Sequence, residues 1–238
     1  MIKPIALMGA MDEEVKLLLD EMEDACSREV AGITYTEGRF QGQDIVVCRC
    51  GVGKVNAAAS AQIFASVFGA RALIFTGVAG ALHPELEIGD IVVSWESIQH
   101  DMDVSPLGYA PGIIPYQSES YFPADKRLIA LAQASCESTR VRFQIGRVLS
   151  GDRFVADLKQ VGQLRELFDG LCTEMEGAAV AQVCRMNELP HVIIRSMSDK
   201  ANGAAPESYT EFTALAAVRS FEIVKGMLER WNEAEWKD

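Results

Sequence analysis

The sequence predicts an α/β layer fold, organised as one domain around a mostly parallel or mixed β-sheet. Short apolar runs alternate with helical patterns along the whole chain. At 238 residues the chain is long enough for one substantial core. It carries no internal repeat and no flexible linker that would split it.

The elements follow in order. Residues 2–8 read as a buried strand, and Asp12 to about Asp24 as a helix with acids in its first turn. Ile33–Arg39 and Asp44–Cys50 read as two strands joined at Gln41-Gly42-Gln43. Gly51-Val52-Gly53-Lys54-Val55 opens an alanine-rich helix running to about Phe68. Ala72–Phe75 is an apolar strand that ends in Thr76-Gly77-Val78-Ala79-Gly80. A further strand starts at Asp90–Val93 and extends to about Gln99. From Ser105 to Pro123, four prolines and two glycines mark a long loop, made sticky by Tyr109, Tyr116, Tyr121 and Phe122. It reads as a lid or a subunit contact. Helix 124–137, strand 142–149, helix 157–168, a strand near 171–175, helix 176–187 and strand 191–197 complete the alternation. A last helix starts at about Glu207 and ends in the charged tail Arg230–Asp238.

Composition narrows the function. The net charge of −12 argues against a phosphate-backbone partner, so no nucleic acid is expected, but an uncharged nucleoside stays open. No apolar run approaches the ~18 residues of a membrane helix, and the amino terminus lacks signal-peptide form. No membrane partner and a cytoplasmic location follow as expectations. The six cysteines match neither a zinc ribbon nor a redox pair, and His83, His100 and His191 are dispersed. No metal site is expected.

The most informative stretch is Glu174-Met175-Glu176, directly ahead of Gly177-Ala178-Ala179-Val180-Ala181. Acids entering so apolar a segment must be paired, protonated or holding something. The two neighbouring hydroxyls of a ribose can both donate to one carboxylate. Glu14 and Asp199 also sit at the edges of apolar segments. Each acid has an ordinary alternative: Glu14 can stabilise a first helical turn, Asp199 can start a turn, and one of the Glu174/Glu176 pair can simply pair with Arg195. Together they are what a glycosyl-cleaving site would be assembled from. Gly51-Val52-Gly53-Lys54 lacks the spacing and the Ser or Thr of a triphosphate loop, and the third glycine of a dinucleotide fingerprint. It reads as a tight turn or as backbone approached by a small ligand. Thr76–Gly80, at a strand's carboxyl end, lets backbone atoms touch a ligand.

Gly9–Val15, Gly51–Ala58, Gly151-Asp152-Arg153-Phe154, Thr173–Ala179 and Arg195–Asp199 occur in the order seen in one family. The chain thereby resembles the 5′-methylthioadenosine/S-adenosylhomocysteine nucleosidases of the purine nucleoside phosphorylase-like superfamily, to about residue 230. The resemblance implies a three-layer single domain, 1–238, with a central mixed β-sheet flanked by helices, like the nucleoside phosphorylases and hydrolases. It implies a cofactor-free hydrolase that cleaves 5′-thioadenosines to adenine and a thioribose. Catalysis falls to Glu14, which would hold the attacking water, Asp199, which would protonate adenine N7, and Glu176, which would bind the ribose hydroxyls. Met175 would pack on the sugar, Phe154 would stack on the base, and the Val155 backbone would read its edge. Phe212 would line the alkylthio pocket. Val52, Val78, Ala79, Gly80, Glu174, Arg195 and Ser198 complete the expected substrate contacts. Val104, Leu107, Tyr109 and Pro115 lie in the loop that reaches a partner's site in that family, which implies a homodimer. Val78 stands where many relatives have serine, and Leu107 replaces a commonly aromatic residue.

The chemistry agrees with these residue types. Breaking an N-ribosidic bond builds positive charge on the sugar and negative charge on the base, so an acid at the base and carboxylates near the sugar both lower the barrier. For Asp199 to carry a proton its pKa must rise, and Arg195 would oppose this unless it pairs with Glu174 or Glu176 instead. A nucleoside phosphorylase would need arginines around an anion, yet Glu14 sits where that anion would go. A non-catalytic binding protein would have no need to keep the three acids together.

Overall fold

The computed structural model describes residues 3–201 and 205–233. Ten strands form one mixed sheet: β1 (Ile5–Gly9), β2 (Glu23–Val30), β3 (Ile33–Phe40), β4 (Gln43–Arg49), β5 (Ala72–Ala81), β6 (Ile91–Gln99), β7 (Tyr121–Pro123), β8 (Phe143–Ser150), β9 (Cys172–Glu174) and β10 (His191–Asp199). The helices are α1 (Asp12–Asp20), α2 (Lys54–Ser66), α3 (Lys126–Thr139), α4 (Leu158–Phe168), α5 (Gly177–Met186) and α6 (Ala205–Glu229). The strand order is β10-β6-β8-β9-β5-β1-β4-β3-β2, with β7 on β6. Because β10 also pairs with β5, the strands β5, β10, β6, β8 and β9 close into a ring from which the other strands extend.

Alternation along the strands builds a core on each face. Ile5 and Leu7 of β1 pack with Val15 and Leu18 of α1, Leu128 of α3 and Val224 of α6. Ala6 and Met8 face the other way, toward Ala57 and Phe64 of α2 and Val180 and Cys184 of α5. Both faces are therefore covered, which explains why β1 reads as a continuous apolar run. The mixed sheet between helical layers agrees with the expected fold class.

Strand direction positions the site. β1, β5 and β10 run parallel to one another, so their carboxyl ends open on the same edge of the sheet. Such an edge is where sheets of this kind bind ligands. Glu14 follows β1, Val78–Gly80 lie near the end of β5, and Asp199 ends β10. β9 pairs antiparallel with β5, setting Thr173 opposite Gly80, and so delivers the Glu174–Glu176 segment to that edge.

Several elements depart from the sequence expectation. α1 ends at Asp20, and Glu23–Val30 is a strand where the pattern carries helix to about Asp24 and then assigns nothing. β2 is an edge strand exposed along nearly its whole length, so it shows no alternation to detect. β5 runs on through Thr76–Gly80, so those glycines lie inside a strand and not after one. The long loop holds one 3-10 turn, Ser105–Leu107, and the short strand β7. The first two residues of the expected amino-terminal strand and the charged tail from residue 234 lie outside the described residues.

Candidate active site

One cavity opens at this edge, where sheets of this kind bind small ligands. Glu14, Glu176 and Asp199 all line it, together with Val52, Val78, Ala79, Gly80, Phe154, Val155, Glu174, Met175 and Ser198.

Glu14 belongs to the first turn of α1, and its carboxylate serves two elements. Oε2 accepts from the amides of Ala10 (2.6 Å) and Met11 (3.0 Å), as an acid closing a helix start would. Oε1 reaches across to β5 and accepts from the Val78 amide at 2.9 Å. The helix-capping role and the site role are thus held by one side chain. Three donors occupy three of roughly four acceptor positions on a carboxylate, leaving one on Oε1 for a water. Burial pushes the Glu14 carboxyl above its usual range, while Arg195 and the three amides pull the other way. A Cβ on Gly77 would overlap both this carboxylate and the Arg195 guanidinium, so the close approach requires glycine there.

Glu174 does the structural work of the Glu-Met-Glu element. Its carboxylate accepts from the amides of Gly177 and Glu176 at the start of α5, and from the Ser150 hydroxyl and the Arg195 guanidinium. Arg195 is buried over the Phe75 ring, 4.0 Å from its centroid, and is not part of the cavity lining. Burial alone would lower its pKa, but Glu174, Glu14 and Glu176 around it raise it. Glu176 lines the cavity with fewer partners: Oε1 accepts from the Gly53 amide at 2.8 Å, and Oε2 stands 3.9 Å from Arg195. Burial and the neighbouring Glu174 push its carboxyl well above the usual range. Gly53 reaches it from a backbone with φ of 98°, a conformation that favours glycine.

Asp199 is held apart from this cluster. Oδ2 accepts from the Ser198 hydroxyl at 3.0 Å and Oδ1 from the Ala201 amide at 2.7 Å. Its ion pairing differs from that of Glu174: no Lys or Arg of the described residues pairs with it. Burial therefore raises its carboxyl above the usual range, against the pull of those two hydrogen bonds. Such a group can carry a proton to a leaving base.

The walls also hold residues to which the sequence reading gave no site role: Ala10, Met11, Arg153 and Thr173, all within its motifs, and Tyr209, outside them. Tyr209 of α6 sets its ring edge-on to Phe154, 5.6 Å between centroids, and its hydroxyl donates to the Met11 sulfur. Phe212 lies three residues further along α6, half-buried and outside the cavity lining. On the same helix, Tyr209, about one turn earlier, lines the cavity instead. A tyrosine three residues ahead of Phe212 on one helix face was the available signal. Val104, Leu107, Tyr109 and Pro115 do not line this chain's cavity, and Leu107 is largely exposed. Among the described residues no group of three or more His, Cys, Asp or Glu is arranged to hold a metal, and no helix is long and apolar enough to cross a membrane.

A closed mixed sheet with buried acids at the ends of its parallel strands defines a class, and residues 4–229 match the model of the phosphorylase superfamily. The chain belongs to that superfamily and, within it, to the 5′-methylthioadenosine/S-adenosylhomocysteine nucleosidases. A nucleosidase of that name from Marinomonas sp. is 40% identical over 227 residues, covering 94% of this chain and 98% of the relative. The Neisseria meningitidis nucleosidase, solved in complex with methylthio-immucillin-A, superposes with a TM-score of 0.92 at 36% identity, covering 96% of this chain and 99% of that one. A futalosine hydrolase of Helicobacter pylori superposes at 0.93 and 30% identity, covering 96% of this chain and 98% of that one.

Proposed function

We propose that the chain hydrolyses the N-ribosidic bond of 5′-methylthioadenosine, S-adenosylhomocysteine and related 5′-substituted adenosines, releasing adenine and the 5′-thioribose. The convergence of Glu14, Glu176 and Asp199 on one cavity carries this reading. Adenine lies against Phe154, with the Val155 backbone at its edge and N7 toward protonated Asp199. Glu176 accepts from the ribose hydroxyls while Met175 packs on the sugar. Glu14 holds the water on the sugar face and takes its proton as the C1′–O bond forms. As the C1′–N9 bond breaks, its electrons pass into the base and the Asp199 proton is delivered to N7. Carboxylates below the ring favour the oxocarbenium-like state.

Tyr209 and Met11 border the 5′ substituent, and the loop carrying Val104, Leu107, Tyr109 and Pro115 is assigned to the partner's site in a cytoplasmic homodimer. No cofactor takes part in the reaction as written. The test is adenine release across methylthioadenosine, adenosylhomocysteine, 5′-deoxyadenosine and a futalosine-like nucleoside, with and without phosphate. Release independent of phosphate supports hydrolysis. Activity lost on removing phosphate selects the phosphorylase alternative, and binding without adenine release selects a non-catalytic nucleoside-binding protein.

A further inference from the structure

Part of the cavity lining is irregular backbone: Val52, next to Gly53 ahead of α2, and Arg153–Val155 after β8. Irregular segments around a ligand need a framework to fix them. Lys54 supplies one. Its ammonium donates to Asp101 Oδ1 at 2.6 Å and to Gln99 Oε1 at 3.1 Å. Its backbone amide donates to Asp152 Oδ1 at 2.9 Å, and the Asp152 amide donates to Asp101 Oδ2, also at 2.9 Å.

Lys54, Asp101 and Asp152 therefore close a ring from three separate segments: the start of α2, the exit of β6 and the exit of β8. The Lys54 and Asp101 side chains are only 18% and 20% exposed, so the pair is largely withdrawn from solvent screening. Gln99 passes the connection to Gln182 of α5, the helix that follows Glu176, at 2.6 Å. The residue before Lys54 is Gly53, whose amide holds Glu176. The residues after Asp152 are the wall assigned to the base.

We propose that Lys54 and Asp101 are positioning residues: their ring fixes the Gly53 amide that aims Glu176 at the ribose, and holds the base wall in register with it. This deepens the nucleosidase reading and rests on it. A merely structural pair would change stability and leave the turnover of the folded protein alone.

Asp101→Asn and Lys54→Gln, made in the full chain, separate the two. The assay is adenine release from methylthioadenosine and from its 2′-deoxy analogue in phosphate-free buffer, with thermal melting alongside. Each variant is expected to lose ~10–100-fold in kcat/KM on methylthioadenosine, the scale of a misplaced binding group. The loss on the 2′-deoxy analogue is expected to be clearly smaller, because one of the hydroxyls that Glu176 holds is already missing. The double variant is expected within ~2-fold of the worse single one, since one ring can be broken only once. Unchanged kcat/KM in both folded variants, or equal losses on the two substrates, overturns the proposal. If Asp101→Asn does not fold, Lys54→Gln carries the same comparison. An unmodified chain that releases no adenine overturns the nucleosidase reading itself, and this inference with it.

Discussion

Replacing Arg195 by methionine keeps most of the side chain's volume and removes a cation that the buried acids share. Glu174, Glu176 and Glu14 all act on it, and the first two are within ion-pair distance. At the 3.9 Å that separates Arg195 from Glu176, a unit pair is worth about 4 kcal/mol at an effective dielectric constant of ~20. Removing one partner of a buried pair typically destabilises by about 3–5 kcal/mol, because the remaining charge is left uncompensated. Arg195→Met is therefore expected to lose about 3–5 kcal/mol at pH 8, measured by urea denaturation. The loss should shrink as the pH falls. Glu14 and Glu176 have raised pKa values, so they gain protons early on acidification and no longer need the cation. In the unmodified chain the same protonation takes two of the three acids away from Arg195, which narrows the gap from the other side. A loss below ~1 kcal/mol, or one independent of pH, would refute the claim that Arg195 neutralises this cluster.

Asp199→Asn and Glu14→Gln are each expected to lower kcat at least ~10²-fold with little change in KM, and near-normal turnover in steady-state assays would remove the assigned role. Glu176→Gln is expected to raise KM and lower kcat together; a variant unaffected in both would take Glu176 out of the site. The pH profile of kcat/KM should be bell-shaped: activity falls on the acid side as Glu14 gains a proton and on the alkaline side as Asp199 loses one, and both limbs lie above ordinary carboxylate values because both pKa values are raised. A flat profile through the range from pH 5 to 9, roughly, would contradict this. Gly77→Ala is expected to destabilise the fold and abolish turnover, since its Cβ meets both the Glu14 carboxylate and the Arg195 guanidinium; melting and activity close to those of the unmodified chain would show that the two groups are not packed so tightly.

Where the chain buries a repeating apolar pattern, the sequence was legible. β1, β4, β10 and the helices between them announce themselves because both faces of the sheet are covered. β2 was not legible, because an exposed edge strand has no apolar face to show. The Glu174–Glu176 pair stood out for an energetic reason, as acids that apolar surroundings could not leave unpartnered. Its division of labour did not: only the placement of α5 reveals that Glu174 caps the helix and makes the closer pair with Arg195, while Glu176 takes the Gly53 amide. The shift from Phe212 to Tyr209 has a similar origin. Both residues sit on one helix, and which of its turns meets the cavity is set by how the helix packs on the sheet, which periodicity does not record. The Lys54–Asp101–Asp152 ring was invisible for the plainest reason, that its members lie 47 and 98 positions from Lys54.

The most direct test of the three-acid site is the fate of oxygen during turnover. Methylthioadenosine incubated with the protein in phosphate-free H₂¹⁸O should yield unlabelled adenine and a methylthioribose carrying one ¹⁸O, read by mass spectrometry. A sugar 1-phosphate formed only when phosphate is added, or no cleavage at all, would contradict a water held by Glu14 and a base released by Asp199.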